Sequence, residues 1–390
     1  MKDKVIFVTM ARSHKGGGVF EVVYQLGTAL LRNGVDIEVT WRDGVEARAD
    51  RHLFGKMSLL EFSTPQVPVL KQIGWSPNLL KNLTNRKPSI IHSHGIWMYN
   101  SYVVKECKKQ NPNIKTVITP HGMLDHWAVK NSRWKKKIVG WLFENKNLQA
   151  ADCIQALNQS EYMSIRQYGL KNPVAIIPNG ITLPMNLKYN RCKSIKTLIF
   201  IGRIHPKKGI AELLEGLHML NNNNPGVMKN WKIRIAGWDQ HGHTEFLKGK
   251  SSELGLEGIV EFIGPVLGEN KENELCNADA YVLTSFSEGL PMSVLEAWSH
   301  ELPVVMTDEC NLTDGFKNGA AIRVTTEAQS IARGLEKLFT MSDEERTAMG
   351  KKGLELVKKS YTWDGIADMT IQLYQWLLEG GEKPGFVLTQ

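Results

Sequence analysis

The stretch from Val5 to Trp41, VIFVTMARSHKGGGVFEVVYQLGTALLRNGVDIEVTW, constrains the fold of this chain more than any other. It reads as strand, glycine loop, amphipathic helix and second strand, the order in which a parallel βαβ sheet begins. Further strands are expected at Ile90–His92, at Thr116–Thr119 and at Cys153–Ala156, the last followed by a helix starting near Asn158 and by VAIIPNGI. The pattern lapses between Leu183 and Lys196, and a new strand begins at Thr197. A second series of strands and helices follows, through WKIRIAGWD, IVEFIGPV, DAYVLTSFSEG and LPVVMT. The run NNNNPG at 221–226 reads as a surface turn. The expected fold class is therefore α/β, with two doubly wound domains and a boundary near residue 183. The last helical stretch, from about Trp363 to Leu378, could pack on either domain.

A chain of 390 residues is long enough for two cores, and 42% hydrophobic with 23% charged residues is a soluble, globular balance. No apolar run reaches eighteen residues and MKDKVIFVTM enters a strand pattern directly, so a cytoplasmic protein is expected. Cys107, Cys153, Cys192, Cys276 and Cys310 are scattered and odd in number, which suggests reduced, mostly buried thiols. The net charge of +8 is unevenly spread: residues 1–190 hold 26 Lys and Arg against 13 Asp and Glu, the remainder 22 against 27. A basic first half suits an anionic surface such as nucleic acid, acidic phospholipid or a pyrophosphate-bearing substrate.

The residues that carry chemistry sit where strands end. Glu288 and Glu296 bracket SEGLPMSVLEAWS after the apolar run 280–285, with Gly289 and Pro291 marking a turn into a helix. Glu288 is placed on the loop and Glu296 more than a turn into the helix, so the two acids could grip two parts of one elongated ligand. Arg203 and Lys208, in IGRIHPKKGI, follow the strand that opens the second domain and suit a diphosphate, with Lys207 competing for the second role. Gly16, Gly17 and Gly18 can bring backbone amides to an anion, although their spacing fits neither the dinucleotide fingerprint nor the P-loop. His121, in TPHGML, and His92 and His94, in IHSHGIW, stand at strand tips of the first domain; without a third ligand they make no metal site. Residues 130–143, KNSRWKKKIVGWLF, mix cations and large apolar side chains at helical spacing. That helix either lies at a membrane interface or turns Trp134, Ile138, Trp141 and Leu142 into a core with its lysines solvated.

Taken together and in order, Gly16–Gly18, His121 in Pro-His-Gly, Pro178-Asn179-Gly180, Gly202-Arg203 with Lys208-Gly209, and Glu288-Gly289-Leu290-Pro291 through Glu296 resemble the retaining glycosyltransferases of family 4. The resemblance spans nearly the whole chain and implies the GT-B fold, two Rossmann-like domains with parallel sheets facing across a cleft. It implies an acceptor domain at 1–182, rejoined by a terminal helix at 365–382, and a nucleotide-sugar donor domain at 183–364. It further implies that Arg203 and Lys208 hold the donor diphosphate and that Glu296 meets the ribose. Glu288, with the amides of Gly289 and Leu290, would meet the transferred sugar. His121 would contact that sugar, Gly264 would lie beside the base, and the Gly16–Gly18 loop would close over the phosphates.

Departure of a nucleoside diphosphate builds negative charge on the leaving phosphate, which two fixed cations can meet without a metal. No Asp-x-Asp motif occurs, and no cofactor is expected beyond a UDP- or GDP-sugar as co-substrate. The expected enzyme is a hexosyltransferase acting on a glycan acceptor linked to a polyprenyl diphosphate, in O-antigen, exopolysaccharide or capsule assembly. It would sit at the anionic inner face of the cytoplasmic membrane. Two rivals are a nucleotide-sugar 2-epimerase, which Glu288, Glu296 and Gly-Arg-x4-Lys fit poorly, and a basic nucleic-acid-binding protein, for which no recognisable module is present.

Overall fold

A computed structural model describes residues 3–10, 18–125, 133–185, 194–239 and 242–389. It divides the chain into two compact units, one of residues 1–180 with 363–390 and one of residues 181–362. The first crossing falls two residues before the expected boundary, and the terminal helix, Trp363–Glu379, starts where the sequence pattern places it, two residues ahead of the start that the resemblance implies.

The first unit is built on strands β1 (Lys4–Thr9), β2 (Asp36–Arg42), β3 (Ser58–Phe62), β4 (Ile90–His94), β5 (Lys115–Thr119), β6 (Cys153–Ala156) and β7 (Val174–Ile176). The second has β8 (Lys196–Ile201), β9 (Trp231–Ala236), β10 (Val260–Gly264), β11 (Ala280–Leu283), β12 (Val304–Thr307) and β13 (Ala321–Val324). A last short strand, β14 (Val387–Leu388), returns to the first unit and pairs antiparallel with β7. The order in the first sheet is β14-β7-β6-β5-β4-β1-β2-β3, and in the second β10-β9-β8-β11-β12-β13. Every pairing except that of β14 is parallel. Strand order therefore reverses between β1 and β4 in one sheet and between β8 and β11 in the other, and at such a reversal the loops beyond the strand ends open a crevice for ligands.

Helices on both faces explain the unbroken apolar strands: Val5, Ile6, Phe7 and Val8 are all fully buried. The helix Gly18–Arg32 buries Phe20, Val23, Leu26 and Leu30, a stripe at three- and four-residue spacing, and shares one core cluster with Trp363, Ile366, Leu373 and Tyr374 of the terminal helix. Of the two packings open to that helix, it takes the first unit. Gly180 is where it docks: a Cβ there would come within 2.6 Å of the Trp363 ring, so only glycine lets the chain pass. Asn221–Asn223 do not form a turn but the end of the helix Ile210–Asn223, whose apolar face (Leu213, Leu217, Leu220) overrides the weak helix propensity of asparagine.

In the second unit the helix Met292–Ser299 is fixed by Trp298, which is fully buried and donates Nε1–H to the Ala320 carbonyl at 3.1 Å. Gly315 and Gly353 lie flat against its indole, where a Cβ would come within 2.5 and 2.3 Å. This packing sets the rotation of the helix and hence the direction in which Glu296, two residues earlier, projects.

Candidate functional site

Three loops beyond β8, β11 and β12 are laced together at the reversal of the second sheet. After β8, His205 accepts the Lys207 amide at 3.0 Å and starts the short 3-10 turn Pro206–Lys208, which ends on Gly209 in the left-handed region, φ 66°. A side chain at 209 would strike the Thr284 carbonyl at 2.1 Å, and Thr284 Oγ1 donates to the Gly209 carbonyl at 2.8 Å. The Phe286 amide donates to the Lys207 carbonyl at 2.9 Å, the Thr307 hydroxyl to the Ser285 carbonyl at 2.7 Å, and the Glu288 amide to the Glu309 carbonyl at 2.9 Å.

This backbone lacing brings Lys208 to Glu288 across eighty residues of sequence. Lys208 Nζ donates to Glu288 Oε1 at 2.5 Å, and the Ser285 hydroxyl donates to the same oxygen at 2.5 Å. Both charged side chains are only about one-seventh exposed, 15% and 13%. In that setting a Coulomb interaction is worth several times its value in water. Between the two competing lysines the structure pairs Lys208 with Glu288. Arg203 is exposed and has no partner among the described residues, so its guanidinium is available to an anion. Leu290 is buried, and Gly289 lies between it and Glu288 on the loop.

Glu296 is the fifth residue of its helix, and its Oε1 accepts from Lys271 Nζ at 2.7 Å. Lys271 comes from the helix Gly268–Asn277, which begins just beyond Gly264, and the next residue, Glu272, meets His300 Nε2 at 2.8 Å. Gly264 has φ 74° and nothing within 4 Å of where a Cβ would stand. Lys271, Ser285 and Asn311, whose Nδ2 donates to the Glu288 carbonyl at 2.6 Å, carry no motif of their own in the sequence.

In the first unit His121 follows β5 with φ 54°, a left-handed backbone that is uncommon outside glycine. Buried Glu161 holds this turn: one carboxylate oxygen accepts the Gly122 amide at 2.6 Å and the other the Leu157 amide at 2.8 Å. The sequence signal for Glu161 is Asn158-x-x-Glu161 at a helix start, where Asn158 caps the Glu161 amide at 2.9 Å. His94 Nδ1 lies 3.1 Å from His121 Nε2, and His92 bonds Tyr374 and Thr119, each at 2.7 Å. Burial pushes His92 down to about 3 and His121 down to about 4, so both are neutral at pH 7. Gly16 and Gly17 lie outside the described residues, and Gly18 opens the helix after β1.

Lys130–Ser132 lie outside the described residues. The core reading of the following segment is corrected: Ile138, Trp141 and Leu142 are 49%, 78% and 53% exposed. A π turn at Gly140–Glu144 links the helices Arg133–Val139 and Asn145–Ala150, and the inward positions go to Gly140, Glu144, Asn147 and Leu148. Glu144 is buried because the Trp97 amide at 2.7 Å and the Asn147 amide at 3.0 Å satisfy its carboxylate. That polar anchor turns the apolar residues outward, next to Lys137 and Lys146. Among the described residues no helix is long and apolar enough to cross a membrane, and no group of three or more His, Cys, Asp or Glu is placed to hold a metal ion.

Two Rossmann-like units with parallel sheets, the second carrying charged loops at its sheet reversal, have the architecture of the GT-B glycosyltransferases, and comparison with known proteins agrees. Residues 16–183 match the family described as Glycosyltransferase Family 4 and residues 188–356 that described as Glycosyl transferases group 1; the chain belongs to the glycosyltransferases carrying these two domains. An uncharacterised glycosyltransferase of Methanocaldococcus jannaschii is 27% identical over 225 residues, 54% of this chain and 55% of that protein, so the match spans about half the relative's length. The lipopolysaccharide core biosynthesis glycosyltransferase LpsE of Rhizobium meliloti is 24% identical over 231 residues, 57% of this chain and 64% of that protein. Among solved structures, Anabaena HepE in complex with UDP and glucose superimposes with a TM-score of 0.71 at 16% identity, covering 95% of this chain and 99% of that one.

Proposed function

We propose that the chain transfers a sugar, with retention, from a UDP- or GDP-sugar to a glycan acceptor carried on a polyprenyl diphosphate, in the assembly of a cell-surface polysaccharide. The observation that carries the donor reading is the Lys208–Glu288–Ser285 cluster with Arg203 free beside β8, at the reversal of the second sheet. Arg203 supplies a fork and Lys208 a point charge for a diphosphate, so charge on the departing phosphate is met without a metal or other cofactor. Glu296 takes the ribose hydroxyls, Gly264 leaves room beside the base, and Glu288, with the Gly289 and Leu290 amides, orients the sugar. The bond between the anomeric carbon and the phosphate oxygen breaks, the acceptor oxygen bonds the same face of that carbon, and the acceptor's proton passes to the leaving phosphate. HepE, bound to UDP and glucose, lends the uridine donor its support.

Thermal-shift titration against nucleoside diphosphates and their sugars tests the donor. Stabilisation by RT ln(1 + [L]/Kd) predicts about 2.7 kcal/mol at a hundredfold excess over Kd for UDP or GDP and their sugars. Equal shifts with ADP, or none with any of them, would remove the reading. Recovery of a covalent sugar on Glu288 by mass spectrometry would replace same-face attack with double displacement.

The acceptor reading rests on exposed Ile138, Trp141 and Leu142 beside Lys137 and Lys146, in a half with twice as many cations as acids. An apolar ridge flanked by lysines is complementary to an anionic lipid surface, at about 1 kcal/mol per cation. LpsE, named for lipopolysaccharide core synthesis, agrees with such a setting. Trp141→Ala is expected to weaken sedimentation with vesicles containing phosphatidylglycerol by roughly tenfold while leaving thermal stability unchanged, because Trp141 supports no core. Wild-type protein that ignores such vesicles yet glycosylates a free oligosaccharide at full rate would refute the membrane placement.

A further inference from the structure

Three imidazoles form a column along β4 and past β5: His92 and His94 lie within β4, and His121 is two residues after β5 ends. His92 and His94 stack with centroids 4.3 Å apart at 25°, the His94 and His121 rings lie edge to edge with centroids 5.4 Å apart and planes at 24°, and Phe7 meets the first two edge-on at 5.3 and 4.8 Å. The column differs in how its nitrogens are served. His92 has both satisfied, by the Tyr374 hydroxyl and by Thr119 Oγ1. His94 is 2% exposed and spends Nδ1 on His121 Nε2; its Nε2 is buried and has no partner among the described residues. His121 Nδ1 has no partner among them either.

Between two neutral imidazoles a hydrogen bond holds one proton, so two arrangements compete. In the first, His94 carries its proton on Nδ1 and donates it to His121 Nε2. The buried His94 Nε2 is then a bare lone pair, and the proton of His121 is on Nδ1. In the second, His121 Nε2–H donates to His94 Nδ1, and the proton of His94 moves to Nε2, a buried donor with nothing to receive it. Orphaned buried donors are rarer than under-used acceptors, so the first arrangement is favoured.

We infer that His94 is a positioning residue: it fixes His121 as the Nδ1–H tautomer, so that His121 meets its ligand as a hydrogen-bond donor, toward a hydroxyl or phosphate oxygen. The inference rests on the proposed role of His121 as a ligand contact. The surroundings hold the geometry from the other side, since Glu161 pins the Gly122 amide and with it the left-handed backbone at His121. A side chain that reaches its ligand as a donor from a fixed ring accepts an oxygen at one place and rejects a cationic or donor-only group there.

The test is heteronuclear NMR of the full chain with nitrogen-15-labelled histidine at pH 7.5, with resonances assigned through the His121→Asn and His94→Asn variants. The wild type is expected to show His121 with a protonated Nδ1 and a bare Nε2. His94→Leu removes the donor and should leave His121 a mixture of tautomers. It should also lower kcat by roughly tenfold to a hundredfold with the donor KM unchanged. His94→Asn, whose amide N–H stands close to the lost Nδ1–H, should restore the tautomer and most of kcat. A wild-type His121 protonated on Nε2, or a His94→Leu spectrum unchanged at His121, overturns the inference whatever the activities are. A His121→Ala variant of full activity would instead overturn the ligand role of His121, with the tautomer result intact.

Discussion

Lys208→Ala is expected to lower kcat by about a hundredfold to a thousandfold, the range for removing one preorganised charge donor from a developing anion. Lys208 is held by the 3-10 turn that ends on Gly209 and by Glu288 at 2.5 Å, so its ammonium is already in place before any ligand arrives. A lysine that served only to neutralise Glu288 would give a different result from one that also meets a diphosphate. In the first case Lys208→Ala paired with Glu288→Ala would be no worse than Glu288→Ala alone, and affinity for the nucleoside diphosphate product would not change. In the second case that affinity falls about tenfold to a hundredfold in Lys208→Ala, since a charge-assisted contact is worth about 1.5–3 kcal/mol. Product-inhibition constants for UDP and GDP measure this directly. Unchanged kcat together with unchanged product inhibition would remove the donor assignment from the loops beyond β8 and β11.

The frame of the molecule was legible because it is written in unbroken apolar runs. Strands such as β1, β11 and β12 are buried on both faces, and hydrophobicity alone marks them. Cys153–Ala156 was expected as a strand and is one, and the helix expected near Asn158 starts at Gln159 with Asn158 as its cap. β3, β13 and β14 were not foreseen. The first two lie on sheet edges with mixed burial patterns and the last is two residues long, so none carries a run.

The site divides in the same way. Residues on strand-tip motifs, such as Lys208 and Glu288, announce themselves by position. Lys271, Asn311 and Glu161 support such residues through contacts between segments far apart in sequence, and Ser285 supports Glu288 from within the same loop without a motif of its own. The segment at 130–143 was legible as helical, with its facing open between a membrane interface and the core. The π turn breaks the 3.6-residue period, and buried Glu144 occupies the side where an apolar residue would be expected.

The second large effect concerns acid. Unfolded histidine titrates near pH 6.5, whereas burial holds His92 at about 3, His121 at about 4 and His94 well below the ordinary value. Below about pH 6.5 the unfolded chain therefore binds protons that the folded chain refuses, so stability of the first unit falls as pH falls and rises with pH in this window. Each histidine contributes a slope approaching about 1.4 kcal/mol per pH unit, so the three together approach about 4 kcal/mol per unit near pH 5. Glu144 and Glu161 act in the opposite sense. Burial raises both, so the folded chain takes up their protons first and offsets part of the loss as pH nears their range. Urea unfolding followed between pH 7.5 and 5 should show the midpoint of the first unit falling steeply while that of the second moves less, because no such column exists among its described residues. His94→Asn should flatten the slope by about one histidine's share. A first-unit midpoint that is level from pH 7 to 5 would mean that the column takes up protons in the folded state, and the neutral imidazole pair at His94 and His121 would go with it.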